Sequence, residues 1–337
     1  MRNVKSIDYI SNLFENEPSM RYNGKEDFEK WQKKSYAKLW ELLGLDKMVK
    51  CENDDFAVED EEQRDGYKKL HFTFQTEPGL YTPCYALLPD DTKNVKGVVI
   101  CIQGHSTGMH ISIGEPHYER DNASIAGGDR DFANRAIKEG YAAICMEQRY
   151  MGESGYSKDG SPSCITEGRG LPSLLLGRCA IGERVWDVMR LIDVIKKYYP
   201  DYAKKIICLG NSGGGTTTFY ATCIDERIEC GVPSCAVCTY KDSIVDLYHC
   251  CCNYIPGVGE FFDMGDLAGL VAPRNMVIVN GLKDNIFPDF GVQKTFAIAQ
   301  NAFEAAGCKD NVRLVTGPEG HRFYADLAWP VINELMD

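Results

Sequence analysis

The chain has 337 residues, with 37 Lys and Arg against 49 Asp and Glu, a formal net charge of −12. Hydrophobic residues make up 44%, and 18 Tyr, 14 Phe and 4 Trp supply ample core, which excludes a disordered chain. The acid balance excludes nucleic acid, whose phosphates need a basic surface, and disfavours an anionic membrane as the main partner.

The N-terminal stretch MRNVKSIDYISNLFENEPSM has no apolar run and carries Asp8, Glu15 and Glu17, so it does not read as a signal peptide. No stretch reaches the roughly 18 apolar residues of a membrane span. The 15 cysteines, an odd number in a chain long enough to build a core, read as buried thiols in a reducing compartment. A cytoplasmic location is the expectation.

In chain order, residues 6–16 and 25–43 read as helices, the second with Phe28, Trp31, Leu39, Trp40, Leu42 and Leu43 near one face and Gly44 at its end. The stretch 51–65 is acidic and reads as exposed. Strands follow over 67–76, 80–88 and 96–103, and the run GVVICIQ at 97–103 suits a strand buried on both faces. Helix 129–139, strand 141–146, a Gly/Ser/Pro-rich stretch over 151–177 and helix 178–198 come next. The order continues with strand 205–210, helix 214–224, strand 230–237 and an irregular segment 240–270. Strand 275–281, helix 290–306, strand 311–316 and helix 322–335 complete the chain. This alternation predicts an α/β fold, a mostly parallel sheet with helices on both faces. The expected division is an N-terminal helical extension, 1–50, and one catalytic domain, 51–337.

The chemistry centres on Gly210-Asn211-Ser212-Gly213-Gly214, a G-x-S-x-G pattern entered by the strand Lys205–Leu209 and left by the helix Thr216–Cys223. A nucleophile elbow needs that strand–turn–helix context. A plain βα turn or an anion loop at a helix start is the competing reading, but no Lys-Ser or Lys-Thr completes a Walker loop. A serine hydroxyl needs a base, and the base needs an orienting acid. Of the six histidines only His249 and His321 follow Ser212. His321 lies in Gly317-Pro318-Glu319-Gly320-His321, directly after a strand, where open α/β sheets bind ligands. Asp284 lies similarly beyond the strand Met276–Asn280 and is the expected acid. Asp242 and Asp246 are its rivals, and Asp289 reads as a helix N-cap. The backbone N–H groups of His105, in the loop after strand 96–103, and of Gly213 are the expected oxyanion donors. The side chains of His105 and His110 fit no common zinc spacing.

Together these residues resemble the α/β-hydrolase superfamily over about 67–335, and more closely its dienelactone-hydrolase-like and acetyl-xylan-esterase-like branch. Further likeness lies in Phe74-Gln75-Thr76-Glu77-Pro78-Gly79, Glu147-Gln148-Arg149, Leu176-Gly177-Arg178, Glu183-Arg184-Val185-Trp186-Asp187 and His249-Cys250-Cys251-Cys252-Asn253-Tyr254. The resemblance implies ester hydrolysis through a serine acyl-enzyme, with no cofactor, on a small-molecule ester. It transfers no particular substrate. Secreted members of the branch carry a signal peptide, so its lack here favours small intracellular esters over polymeric xylan.

Cys235 and Cys238 form C-x-x-C, and Cys250, Cys251 and Cys252 are consecutive. Three neighbouring cysteines are expected to project in different directions and to make poor joint ligands, so no metal is expected and 240–270 is read as a pocket wall. A serine peptidase or acyltransferase could use the same three residues, and a binding protein on the same fold is a further alternative, though such proteins usually lose one of them. Residues 152–163 are polar and turn-rich, without the amphipathic helix of a lipase lid, so short acyl groups are expected, acetate foremost, on a polar alcohol such as a sugar. Nothing in the sequence sets the oligomeric state.

Overall fold

In the computed structural model, which describes residues 5–337, the strands are β1 (Ala57–Arg64), β2 (Tyr67–Glu77), β3 (Leu80–Pro89), β4 (Val98–Ile102), β5 (Ala142–Met146), β6 (Ile206–Asn211), β7 (Cys230–Ser234), β8 (Asn275–Gly281) and β9 (Val312–Gly317). They form one nine-stranded sheet in the order β1-β2-β3-β5-β4-β6-β7-β8-β9. The β1–β2, β2–β3 and β3–β5 pairs are antiparallel and all later pairs are parallel. This is the α/β arrangement that the alternation predicts. The principal helices are α1 (Ser6–Leu13), α2 (Phe28–Leu42), α3 (Phe132–Lys138), α4 (Ala180–Tyr198), α5 (Gly213–Ile224), α6 (Asp289–Ala305) and α7 (Ala325–Met336).

Side chains alternate across a strand, so each strand feeds two cores. Val98, Ile100 and Ile102 of β4 face α2, α4, α5 and α6, whereas Val99 and Cys101 face α3 and α7. After β4 the chain turns to β5 on one side and then crosses back to β6 on the other. Strand order therefore reverses at β4, and a crevice opens beyond the C-terminal ends of β4 and β6. The crevice decides where any ligand sits.

Two local expectations change. The acidic stretch is exposed only in part: Cys51 and Asp54 are buried, Asp54 against Arg190, and the exposed residues 57–64 form β1, an edge strand. Its composition, AVEDEEQR, hides it. The strand is held by backbone pairing to β2, and its charges protect a sheet edge from further pairing. Asp289 is not a cap. It is the first residue of α6, and its carboxylate accepts from Asn280 Nδ2 at 2.9 Å.

Of the N-terminal helices, α2 enters the main core, whereas α1 buries no residue. Asp27 caps α2 by accepting from the Lys30 N–H at 3.0 Å, and Gly44 just past its end adopts φ +69°, a conformation glycine takes without strain. Trp31 is 1% exposed and donates its indole N–H to the Met20 carbonyl at 2.8 Å. It packs so closely on residue 269 that a Cβ there would lie 2.9 Å from the Trp31 ring. Trp31→Ala should therefore lower stability by about 3–5 kcal/mol, the range for a buried large aromatic. Denaturant unfolding checks this. The midpoint should fall in one cooperative transition, and a separate early transition would show that the N-terminal helices unfold on their own.

Candidate active site

Ser212 stands between β6 and α5 with φ +57° and ψ −127°. A non-glycine residue rarely holds such a backbone unless its surroundings force it. The forcing contacts are visible. A Cβ on Gly210 would come within 2.5 Å of the Gly214 carbonyl oxygen, and one on Gly214 would collide with the Ile102 carbonyl of β4. The Ser212 N–H donates to the Ser234 carbonyl at 2.8 Å, fixing the turn to β7. Among the described residues the Ser212 hydroxyl donates to no acceptor.

The register of β8 on β9 pairs Asn280 with Thr316 and Gly281 with Gly317. The loops beyond these two strands therefore run side by side, and they bring Asp284 to His321. His321 Nδ1 lies 2.8 Å from Asp284 Oδ2. Asp284 also accepts from the N–H groups of Ile286 at 2.8 Å and Phe287 at 3.1 Å. Burial alone would raise its pKa. The hydrogen bond and charge of His321, with the two N–H groups, outweigh that and hold it below the usual carboxylate value. The Phe287 ring is stacked beside the His321 ring, 6.1 Å between centroids and 17° between planes. The rivals lie elsewhere: Asp242 binds Thr239 and Lys294, and Asp246 binds Ser11 and Lys241.

Ser212 and His321 line one cavity of about 300 Å³ with His105, Arg130, Ile165 and Phe287, and residues 248–253 close one side. A hollow of about 480 Å³ between α1 and residues 253–260 is larger but holds no serine, cysteine or histidine. The loop carrying His105 is pressed against the serine turn, since a Cβ on Gly104 would lie 2.6 Å from the Asn211 carbonyl and 2.9 Å from Ser212 Cβ. The His105 N–H makes no backbone hydrogen bond among the described residues. The Gly213 N–H opens α5, where no intrahelical partner exists.

The sequence does not reveal where the other cavity histidine and the cysteines point. His249 Nε2 lies 3.0 Å from Ser243 Oγ, and burial, then the nearby His105 and His321, lower its pKa to about 4. His110 turns away from His105 into its own pair with Asp121 at 2.9 Å. All 15 cysteines are free, and all but Cys251 and Cys308 are buried. Cys235 and Cys238 do not face each other: Cys235 Sγ lies 3.3 Å from the Arg322 carbonyl and Cys238 Sγ 3.8 Å from that of Pro288.

The consecutive cysteines depart from expectation. Cys251 points to the carbonyls of Cys164 and Arg169, but Cys250 and Cys252 converge with His105, their ligand atoms lying within 4.8 Å of one another. A fixed cation already stands there. Arg184 is fully buried, its charge lies near Cys252, Cys164 and Cys250, and its Nε and Nη1 have no hydrogen-bond partner. Hydrogen bonds from Cys164, Cys250 and Cys251, with the Arg184 charge, hold the Cys252 thiol well below its ordinary pKa. Burial opposes a charge on His105, but contacts with Cys164 and Cys252 raise its pKa to about 9.

The stretch 151–177 is polar only in its first half. The turn Leu171–Leu176 exposes Leu175 at 90% and Leu176 at 71%, and Ile165 reaches the cavity. Arg130 also lines the cavity, and no motif surrounds it that would mark it in the sequence.

The chain matches the abhydrolase family over residues 7–225. It belongs to that family. The match contains Ser212 and stops before Asp284. Over 152 residues the chain is 25% identical to YtaP of Bacillus subtilis (strain 168), a provisionally named hydrolase; the aligned stretch covers 44% of this chain and half of that protein's length. Among solved structures, a provisionally named acetyl xylan esterase from Bacteroides fragilis NCTC 9343 superposes with a TM-score of 0.80 at 19% identity, covering 99% of this chain and 96% of that one. Methylesterase BT1017 gives 0.71 at 22% identity over 98% and 69% of the two chains. A glucuronoyl esterase from Solibacter usitatus gives 0.68 at 14% identity over 95% and 97%. The α/β-hydrolase fold expected from the sequence is the fold of this chain. Among the described residues no helix is long and apolar enough to cross a membrane.

His249 supplies a pH test. Its folded pKa, about 4, is below its ordinary 6.5, so the neutral form is favoured by folding. Its contribution to stability is complete above pH 6.5 and is lost as pH falls from 6.5 toward 4. The loss is on the order of 3 kcal/mol. In His249→Gln, Tm should fall less steeply across that window than in the unaltered protein, and parallel curves would show that His249 does not carry the dependence.

Proposed function

We propose that the protein is a serine ester hydrolase in which Ser212 is the nucleophile, His321 the general base and Asp284 the acid that orients it. The observation that carries this reading is the strained turn at Ser212, φ +57°, opening onto the same cavity as the His321–Asp284 pair. Ser212 Oγ attacks the ester carbonyl as His321 takes its proton. The carbonyl oxygen becomes an oxyanion, and the N–H groups of Gly213 and His105 donate to it. As the intermediate collapses, His321 returns the proton to the leaving alcohol. Water then attacks the acyl-enzyme by the same route. Asp284, kept ionised by its hydrogen bonds, holds the Nδ1–H of His321 and stabilises the imidazolium.

The substrate is a soluble ester with a short acyl group, acetate foremost, on a polar alcohol such as a sugar. The small cavity supports this, as do the names of the structural neighbours, an acetyl xylan esterase, a methylesterase and a glucuronoyl esterase. Fifteen free thiols support a cytoplasmic location.

Ser212→Ala should lower kcat by several orders of magnitude without unfolding the protein, and Asp284→Asn by about 10⁴-fold. A fluorophosphonate should label Ser212 in the unaltered protein. Label on another residue, or an active Ser212→Ala variant, would remove the nucleophile from this reading. Across p-nitrophenyl acetate, butyrate and octanoate, kcat/KM should fall, each methylene that does not fit costing roughly 1–3 kcal/mol. A rise with chain length would place the exposed leucines of 171–176, rather than a small acyl pocket, in control.

A further inference from the structure

Among the described residues, Arg130 is the only Lys, Arg, Asp or Glu that lines the cavity holding Ser212 and His321. It precedes α3, and its carbonyl accepts from Gln103 Nε2 at 2.6 Å, which ties it to the loop that carries His105. The side chain folds over Gly128, where a Cβ would lie 3.1 Å from Arg130 Cγ and 3.2 Å from Nε. Its Nε is buried and unpaired. Among the described residues its guanidinium makes no hydrogen bond and no ion pair, although an aspartate stands on either side of it in sequence. Asp129 is paired with Arg322 at 2.7 Å. Asp131 is turned to Asn134.

A guanidinium stays charged and presents five N–H donors. Arg130 is half-buried: its Nε is closed off without an acceptor, which is unfavourable, and its terminal nitrogens remain open to the cavity. The buried Arg149 grips Asp187 at 2.8 and 2.7 Å, whereas Arg184 donates to the Arg149 carbonyl at 2.9 Å and leaves Nε and Nη1 unpaired. Arg130 has no carboxylate partner, and burial accordingly lowers its pKa. The chain carries 49 acidic residues, so a carboxylate could readily have been placed beside it. A ligand entering the cavity meets an uncompensated planar cation beside the serine.

We propose that Arg130 binds a carboxylate on the substrate, so that the ester cleaved belongs to an acidic sugar, an acylated uronic acid. This rests on the ester-hydrolase reading above. One guanidinium matches one carboxylate in charge and in its two-pronged geometry. A phosphate monoester carries about 1.5–2 negative charges and would call for a second cation, and the other candidate on the wall, His105, is already engaged by Cys250 and the neighbouring thiols.

The test compares acetylated glucuronate with acetylated glucose, each measured on the unaltered protein and on Arg130→Met and Arg130→Lys. The unaltered protein should favour the acid by at least about tenfold in kcat/KM, through KM, as one charge-assisted bidentate contact allows. The preference should collapse toward unity in Arg130→Met and survive in part in Arg130→Lys. It is a ratio within each protein, so a general loss of activity or folding leaves it readable. Calorimetry with free glucuronate adds a readout independent of hydrolysis, with binding that is lost in Arg130→Met. A preference for the neutral sugar, a ratio unchanged by Arg130→Met, or tighter binding of glucose 6-phosphate than of glucuronate would overturn the inference. Equal cleavage of both sugars with Ser212 still labelled by fluorophosphonate would remove the carboxylate subsite alone. Loss of all esterase activity and labelling would remove the hydrolase reading, while glucuronate binding would still decide Arg130.

Discussion

The site depends on how closely β6 and α5 press against β4. Side chains at residues 210 and 214 would strike Gly214 and Ile102, so only glycine admits this packing. The packing leaves the connecting residue no relaxed conformation, and Ser212 takes φ +57°. Strain at that point projects a polar side chain into the crevice at the strand reversal instead of into the helix. The same closeness brings the loop after β4 to the Ser212 turn, so backbone donors and the hydroxyl share one small space. The site is thus a consequence of interstrand spacing before it is a matter of side-chain chemistry.

A second layer holds the loops in place, and several stretches that suggest the superfamily belong to it. Arg149 joins Asp187 of α4 to Glu77 of β2, and Arg178 joins the same Glu77 to Glu183. Gln148 donates to the Gln103 carbonyl and accepts from Thr217, each at 2.5 Å, bridging the end of β4 to α5. Glu147 accepts the Met109 N–H at 3.1 Å, and burial raises its pKa to about 7. None of these groups lines the cavity. Removing one partner would leave another charge buried and unpaired, so each tends to persist with the others. Their likeness to the superfamily reflects scaffolding of the crevice rather than reaction chemistry.

The serine turn was legible because its requirement is local. Two glycines around a serine, a β-rich run before and a helix after, all lie within Lys205–Cys223. His321 and Asp284 were legible through chain order and strand ends, both consequences of the fold class. Strand β1 was not, because an edge strand of charged residues lacks the apolar alternation that marks a strand. Arg130 was not, because its significance is the absence of a partner, and partners are set by residues such as Arg322 that are distant in sequence.

By itself the sequence determined the α/β class, the strand-to-helix turn at Ser212, and the acidic, thiol-rich character of the chain, because local periodicity and composition carry these. The tertiary structure alone decided the contact geometry of Asp284 with His321, that Cys250 and Cys252 converge on His105, and that Arg130 stands without a partner at the cavity wall. The physical reason is shared. Each depends on the register between strands and on which loops that register lays side by side, and register is settled by packing across the whole sheet.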